Sequence, residues 1–389
     1  MTDFDQVLTS STTPGANIVP GCVLAAVNKA GLKFYNKAVG SHSVHRDAPM
    51  ISPDGTFWLA SCSKLIGTIA ALQCVERGQV TLDEPVQRIL PELASPQIIE
   101  AQTTAGKGKV SEGFSLRPAV KKITLRHLLC HTSGISYDMF HPLLMSWRSS
   151  RHEAPLGLTG KVAEAYTLPL LFEPGDGWSY GGGIDWAGEL VARLNGVSLE
   201  EYCQTHIFGP LALVSTTFRL ANRPDVKERL VDTSERSADG TLKPSVRPWP
   251  DEAPEDCAGG SLYSSSDDYV KLLADLLSDH PRVLAEATVE SMFAPQLEGE
   301  SRGIKDLEAA TIFTAMTGIT GSKGGINWGL GGLKGSLVWG GLPNLIWFAN
   351  REQGIAAFYA SQVLPPGDPH SGRLANGFME EVWRIAGKV

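Results

Sequence analysis

The stretch "TFWLASCSKLIGTIAALQCVERG" (residues 56–78) passes from aromatic, strand-like residues into a helical pattern at Ser61. Leu65, Ile69 and Leu72 mark one helical face, and Glu76-Arg77-Gly78 supplies a polar last turn and a glycine stop. Ser61 therefore stands at or near a helix N-terminus, where unpaired backbone N–H groups and a partial positive charge stabilise an alkoxide and can donate to an oxyanion. Position i+3 returns to the same face, so the Lys64 amine reaches the Ser61 hydroxyl. The same pair also reads as an N-cap serine with a solvated first-turn lysine, and Ser-x-x-Lys arises by accident in a chain of this composition. A cation in the first turn opposes the helix dipole, so a buried Lys64 is expected to have a lowered pKa and to act as a base near neutral pH.

Working outward, 389 residues exceed one ordinary core, and at about 100–200 residues per domain they suggest two structural units, one inserted in the other. The net charge of -8 comes without a block of Lys and Arg, which argues against a nucleic-acid partner. No run of about 18 apolar residues spans a bilayer, and "MTDFDQVLTSSTTPGANIVPG" does not read as a signal peptide. The six cysteines are scattered without Cys-x-x-Cys spacing, which fits reduced thiols in a cytoplasmic chain.

Residues 21–40, "GCVLAAVNKAGLKFYNKAVG", read as an antiparallel hairpin around Lys29-Ala30-Gly31. Near the other end, "LPNLIWFANREQGIAAFYASQV" shows two apolar runs parted by Asn350–Gly354, and "SGRLANGFMEEVWRIAG" follows as an amphipathic helix. The two termini are thus expected to share one sheet. Between them Trp186, Leu190 and Leu194 precede Asn195-Gly196 as a helix and its stop, and Ser265 and Asp268 sit at capping-box spacing before another helix. Two Gly-rich stretches, 103–122 and 318–332, read as long loops. No internal repeat is evident.

Three further boxes follow Ser61-x-x-Lys64: "ITLRHLLCHTSGISY" (123–137), "EPGDGWSYGGGIDWAGELV" (173–191) and "CAGGSLYSSSDDYVKLLADLL" (257–277). In order and rough spacing the chain resembles the class C β-lactamase-like serine hydrolases, which include penicillin-binding proteins, esterases of that fold and fungal transesterases of the lovastatin type. "LRHLLCHTSGISYDMFHPLL", "YGGGIDWAGELV" and "GGLPNLIW" are most similar to the fungal transesterase branch. The resemblance implies an α/β (α+β) fold of β-lactamase/transpeptidase type. Its antiparallel sheet, flanked by helices, would be built from residues 1–80 and 240–389. A mostly helical inserted lobe would occupy 81–239, with the active site between the two.

The same resemblance implies that Ser61 is the acyl-accepting nucleophile, Lys64 its close partner and Tyr180 the third member of a proton-transfer set, with the choice of base between Lys64 and Tyr180 left open. Trp339-Gly340-Gly341 stands where β-lactamases carry Lys-Thr-Gly, and the backbone N–H of Leu342, just beyond, would complete an oxyanion hole with that of Ser61. Tryptophan offers apolar surface and one N–H donor in place of a cation that would hold a substrate carboxylate. Gly182 stands where β-lactamases carry Asn after the box tyrosine, and Gly181 to Gly183 either widen the cleft for a bulky acceptor or permit a tight turn. Both departures point from β-lactams toward acyl esters or thioesters.

Trp339, Gly340, Gly341, Gly182 and Tyr137 are the candidate substrate contacts, and Phe140, Trp147 and Trp178 are candidate linings or core. The reaction expected is acylation of Ser61, followed by hydrolysis or transfer to an alcohol, on a polyketide-type secondary metabolite with an acyl-carrier domain as one candidate donor. An amide hydrolase of the β-lactamase kind and a catalytically silent binding scaffold are the alternatives. His127 and His131 at i, i+4 superficially suggest zinc, but no Glu follows His127 and Thr132-Ser133-Gly134 ends the helix, so no metal or other cofactor is expected. A Gly-x-Ser-x-Gly elbow and a dinucleotide-binding glycine pattern are both missing, and Cys62 reads as a packed neighbour of Ser61.

Overall fold

The structure is a computed structural model that describes residues 3–16, 18–45, 47–102, 113–311, 326–333 and 336–387. Five strands form its largest sheet: β1 (Gly21–Asn28), β2 (Lys33–Gly40), β3 (Leu337–Gly341), β4 (Leu345–Asn350) and β5 (Ile355–Ala360). Their spatial order is β2-β1-β5-β4-β3, antiparallel throughout. The two chain ends meet where Leu24 lies opposite Tyr359 and Ala26 opposite Ala357. At the first turn the Asn28 side-chain oxygen accepts from the backbone N–H groups of Ala30 (3.0 Å) and Leu32 (3.1 Å), so a short polar side chain closes the hairpin as its type favours. The expected hairpin and the shared terminal sheet are both present.

Five helices frame the sheet and the cavity beside it: α1 (Asp3–Ser11), α2 (Lys64–Glu76), α3 (Gly183–Asn195), α4 (Ser266–Leu277) and α5 (Pro369–Ile385). Strand alternation divides the sheet's side chains between two helical layers. Phe358 stacks on Tyr269 of α4 with centroids 4.5 Å apart, and Trp347 meets the same ring. Their neighbours in sequence turn the other way, Phe348 stacking on Trp383 of α5 and the Tyr359 hydroxyl reaching Ser371. A sheet apolar on both faces therefore sits between α4 and α5, which is why β4 and β5 read as continuous apolar runs.

Helix α2 is buried on every side from Lys64 to Cys74, so the single apolar face expected of it is too narrow a description. Gly196 ends α3 with φ of 66°, as the Asn195-Gly196 signal implied. At α4 the Ser265 hydroxyl accepts from the Asp268 N–H at 3.2 Å, but the box is only half made: the Asp268 carboxylate instead accepts from the Ser215 N–H (2.6 Å) and the Thr216 hydroxyl (3.0 Å).

The loop expectation for 103–122 is overturned in part. Phe114–Pro118 is a strand paired antiparallel with Gln97–Ala101, and its alternating Phe114, Leu116 and Pro118 gave too little apolar signal to separate it from a loop. In the second stretch Trp328 and Leu333 pair across a short turn. Residues 103–112 and 318–325 of these two expected loops lie outside the described residues.

Candidate active site

Ser61 sits in a 3-10 turn, Ala60–Ser63, that leads directly into α2. Ala60, just before it, is held at φ 45°, a conformation that costs a non-glycine residue on the order of 1–3 kcal/mol and that projects the serine from a sharp bend. No side-chain cap hydrogen bond forms at either helical start, so Ser61 is not spent as an N-cap.

Lys64 is only 2% exposed and spends its three donors on three acceptors: the Ser61 hydroxyl at 3.2 Å, the Tyr137 hydroxyl at 3.0 Å and the Gly259 carbonyl at 2.6 Å. Three satisfied N–H bonds describe an ammonium. Burial alone pushes its pKa down, but Tyr137, Tyr180 and the carboxylate of Asp185 outweigh burial and hold it above its ordinary value. The lowered amine pKa expected from the sequence is thereby corrected, because the groups around the amine lie far from it in sequence. Asp185, on α3, accepts from the Gly259 N–H at 2.8 Å, and burial raises its own carboxyl despite Lys64 and that bond. A Cβ on Gly259 would lie 2.2 Å from the Asp185 carboxylate, so only glycine lets this carbonyl reach Lys64 while its N–H meets Asp185.

Two phenols face the amine. Tyr137 hydrogen-bonds it, and Tyr180 lies with its ring centroid 4.9 Å from the Lys64 nitrogen. The Tyr180 hydroxyl oxygen accepts the indole N–H of Trp339 at 3.1 Å. Trp339 is 1% exposed and packs edge-on to Trp328, so it supports Tyr180 from behind and forms no part of the cavity wall. Gly340 and Gly341 likewise lie in buried strand outside that wall.

The β3–β4 hairpin turns through Leu342, Pro343 and Asn344, with Asn344 left-handed at φ 60° and its amide donating to the carbonyls of Val363 and Pro365. This turn brings Leu342 to line the same cavity as Ser61. Gly182 does not widen the cleft: a Cβ there would meet the Tyr166 ring at 2.3 Å, so the residue is small because an aromatic packs onto it.

The cavity around Ser61 opens to solvent and, counted with its mouth, holds about 540 Å³ of space. Trp58, Tyr137, Met139, Phe140, Leu158 and Trp249 supply most of its wall, and no charged side chain among the described residues lines it. Trp147 is not part of it and belongs to a separate small apolar cluster with Ile99, Leu144 and Leu168.

A Beta-lactamase family model matches residues 5–377. The chain belongs to the Beta-lactamase family. Within it, the chain is 36% identical to acyltransferase calJ of Penicillium decumbens, covering 98% of both proteins. It is 35% identical to the monacolin J acid methylbutanoyltransferase of Aspergillus terreus (94% of this chain, 92% of that protein) and 33% identical to the lovastatin esterase of Penicillium rubens (94% of each). The unliganded simvastatin synthase LovD from Aspergillus terreus superposes with a TM-score of 0.85 at 32% identity, covering 100% of each chain. This β-lactamase-family chain is therefore an enzyme of acyl transfer or ester hydrolysis, with the α/β architecture expected from its boxes.

One further residue of this family member had no reading at the sequence level. Asp185 carried no signal, since one acid in an amphipathic helix is ordinary. His131, one of the two histidines at zinc-like spacing, lies with its ring 4.8 Å from that of Tyr180, and its backbone carbonyl and Nδ1 accept the N–H groups of Ser179 (2.9 Å) and Gly181 (3.4 Å) on either side of it. Burial and the Lys64 ammonium hold this imidazole well below its ordinary pKa, hence neutral. His127 is not its partner in a metal site; its Nδ1 accepts the Thr124 N–H at the helix start, and the described residues hold no group of three metal-ligating side chains. Burial pushes the Cys62 thiol well up, as expected of a packed neighbour, and all six cysteines are unpaired.

Proposed function

We propose that this enzyme forms an acyl-enzyme on Ser61 from an acyl ester or thioester of a polyketide-type metabolite and passes the acyl group to an alcohol or to water. The observation that carries the reading is the Ser61 hydroxyl, at the wall of an apolar cavity, 3.2 Å from the buried, fully hydrogen-bonded ammonium behind it. The names of the relatives support the substrate class.

In the first step Ser61 Oγ bonds to the acyl carbon while its proton moves to the Tyr180 oxygen. Tyr180 gives its own proton to the departing oxygen or sulfur, and the carbonyl π pair rests on an oxyanion held by the N–H groups of Ser61 and Leu342. The second step reverses the sequence with water or an alcohol as nucleophile. Lys64, already an ammonium, stabilises the charge that develops between these groups and orients the serine, so the base role falls to Tyr180. The site lies between the terminal-sheet unit (1–80 and 240–389) and the helical insert (81–239). A cytoplasmic setting with an acyl-carrier domain as donor completes the reading. No helix among the described residues is long and apolar enough to cross a membrane.

The apolar lining and the tryptophan in place of a carboxylate-binding lysine favour esters over β-lactams. Incubation with p-nitrophenyl butyrate and with nitrocefin checks both parts. Ester turnover with an acyl mass adduct on Ser61, lost in Ser61→Ala, is expected; turnover that survives the substitution would remove Ser61 from the mechanism.

A further inference from the structure

Three consecutive buried residues, Ser361, Gln362 and Val363, follow β5 and hydrogen-bond to the two segments that carry Ser61 and Leu342. Toward Ser61, the Gln362 side-chain amide donates to the Trp58 carbonyl at 3.1 Å, three residues before the serine, and to the Ser361 carbonyl at 2.9 Å. Toward Leu342, the Ser361 hydroxyl is shared between the carbonyls of Asn344 (3.1 Å) and Pro343 (3.3 Å), and the Val363 N–H donates to that of Pro343 at 3.2 Å. Asn344 closes the arrangement from the turn itself. Its amide donates to the carbonyls of Val363 (2.7 Å) and Pro365 (2.8 Å), and its oxygen accepts the Gly367 N–H at 3.0 Å. Carbonyls only accept and a backbone N–H only donates, so this amide fits in one orientation. The segment is fixed from behind as well, with the Ser361 hydroxyl 3.1 Å from that of Ser371 on α5.

We propose that Asn344 and Gln362 are positioning residues for the oxyanion: through residues 361–363 they fix the spacing between the N–H groups of Ser61 and Leu342. The proposal rests on the acyl-enzyme reading above and deepens it. Two donors stabilise a developing charge only while both point at it, and donors set in place beforehand need no reorganisation during the reaction. Leu342 follows β3, the edge of the sheet, so among the described residues no further strand of that sheet holds its turn. Side-chain bonds do so instead. The turn also lies close to the serine segment, since a Cβ on Gly341 would come 2.5 Å from the Leu59 carbonyl, and a small shift there changes the spacing. Neither Asn344 nor Gln362 lines the cavity around Ser61, so their effect on turnover must travel through the segments they hold.

The test uses Asn344→Gly, which keeps the left-handed backbone at φ 60° and removes the amide, and Gln362→Met, which keeps the length and removes the donor. Each is read in kcat and KM on p-nitrophenyl butyrate and in inhibition by butane-1-boronic acid. Boron takes a bond from Ser61 Oγ as that hydroxyl loses its proton, giving a tetrahedral anion that carries the charge of the transition state. Each substitution is expected to lower kcat about tenfold and to weaken the boronate by the same factor, with KM unchanged within about twofold. A merely structural contribution would lower Tm while leaving kcat and boronate affinity where they were, and would overturn the proposal. So would a kcat loss without a matching loss of boronate affinity, or a raised KM at constant kcat. The two residues lie on different elements, so if one variant fails to fold the other decides. Failure of the underlying reading shows separately, as p-nitrophenol release that survives Ser61→Ala or as an unsubstituted enzyme that the boronate does not inhibit, and would take the proposal with it.

Discussion

Trp339 donates its indole N–H to the hydroxyl oxygen of Tyr180 across 3.1 Å of buried interior, tying the strand beside the Leu342 turn to the proposed proton carrier. Because Trp339 does not line the cavity around Ser61, Trp339→Phe should lower kcat about tenfold while leaving KM for p-nitrophenyl esters nearly unchanged, the pattern of a lost transition-state interaction. A raised KM at constant kcat would instead place Trp339 in substrate binding.

Tyr137 and Tyr180 both face Lys64, and their roles separate by pH. Tyr137 helps hold the Lys64 ammonium against burial, which alone pushes its pKa down. Tyr137→Phe removes that support, so the amine's pKa falls and the basic limb of the kcat profile should move to lower pH. Tyr180→Phe should cost about 10²–10⁴-fold in kcat, as expected for a group that carries the proton. Equal losses from the two substitutions, with no movement of the limb, would refute the division.

His131 brackets Tyr180 from both sides, at φ 58°, and is kept neutral. Its folded-state pKa is depressed, so below about pH 6.5 the unfolded chain takes a proton that the folded chain refuses. Stability supplied by the neutral ring is complete above that value and is lost as pH falls. His131→Asn keeps an acceptor where Nδ1 stood and tolerates the left-handed backbone, so it should retain most of kcat and weaken the loss of Tm between about pH 7.5 and about pH 5. His131→Ala should lose activity that Asn restores. Equal activity in the two variants would show that the ring nitrogen positions nothing.

Far from the site, Ala212 ends a short helix at φ 52°. Ala212→Gly relieves about 1–2 kcal/mol of left-handed strain against about 0.5–1 kcal/mol of added chain entropy, a net gain of about 0.5 kcal/mol. Denaturant unfolding should show a slightly higher midpoint with unchanged esterase activity.

Local chemistry carried most of the architecture. The hairpin at Gly21–Gly40 and the two late strands were legible because a two-residue alternation or a continuous apolar run between turn residues admits few other readings, and α3 was legible because its apolar stripe ends at Asn195-Gly196. The strand Phe114–Pro118 was missed, since five residues with three of mixed polarity carry too weak a period. Within the site, Ser61 and Lys64 were readable because both lie on one turn of one helix.

What the chain determined by itself was therefore the set of elements, the order of the family boxes and the serine–lysine pair, all products of short-range backbone geometry. The Tyr137 and Gly259 partners of the amine, the Asp185–Gly259–Lys64 linkage and the support of Tyr180 by Trp339 were decided only by the tertiary structure. Each depends on groups tens to hundreds of residues apart meeting in a water-poor interior, where the sign of a pKa shift is set by neighbours that no local pattern specifies.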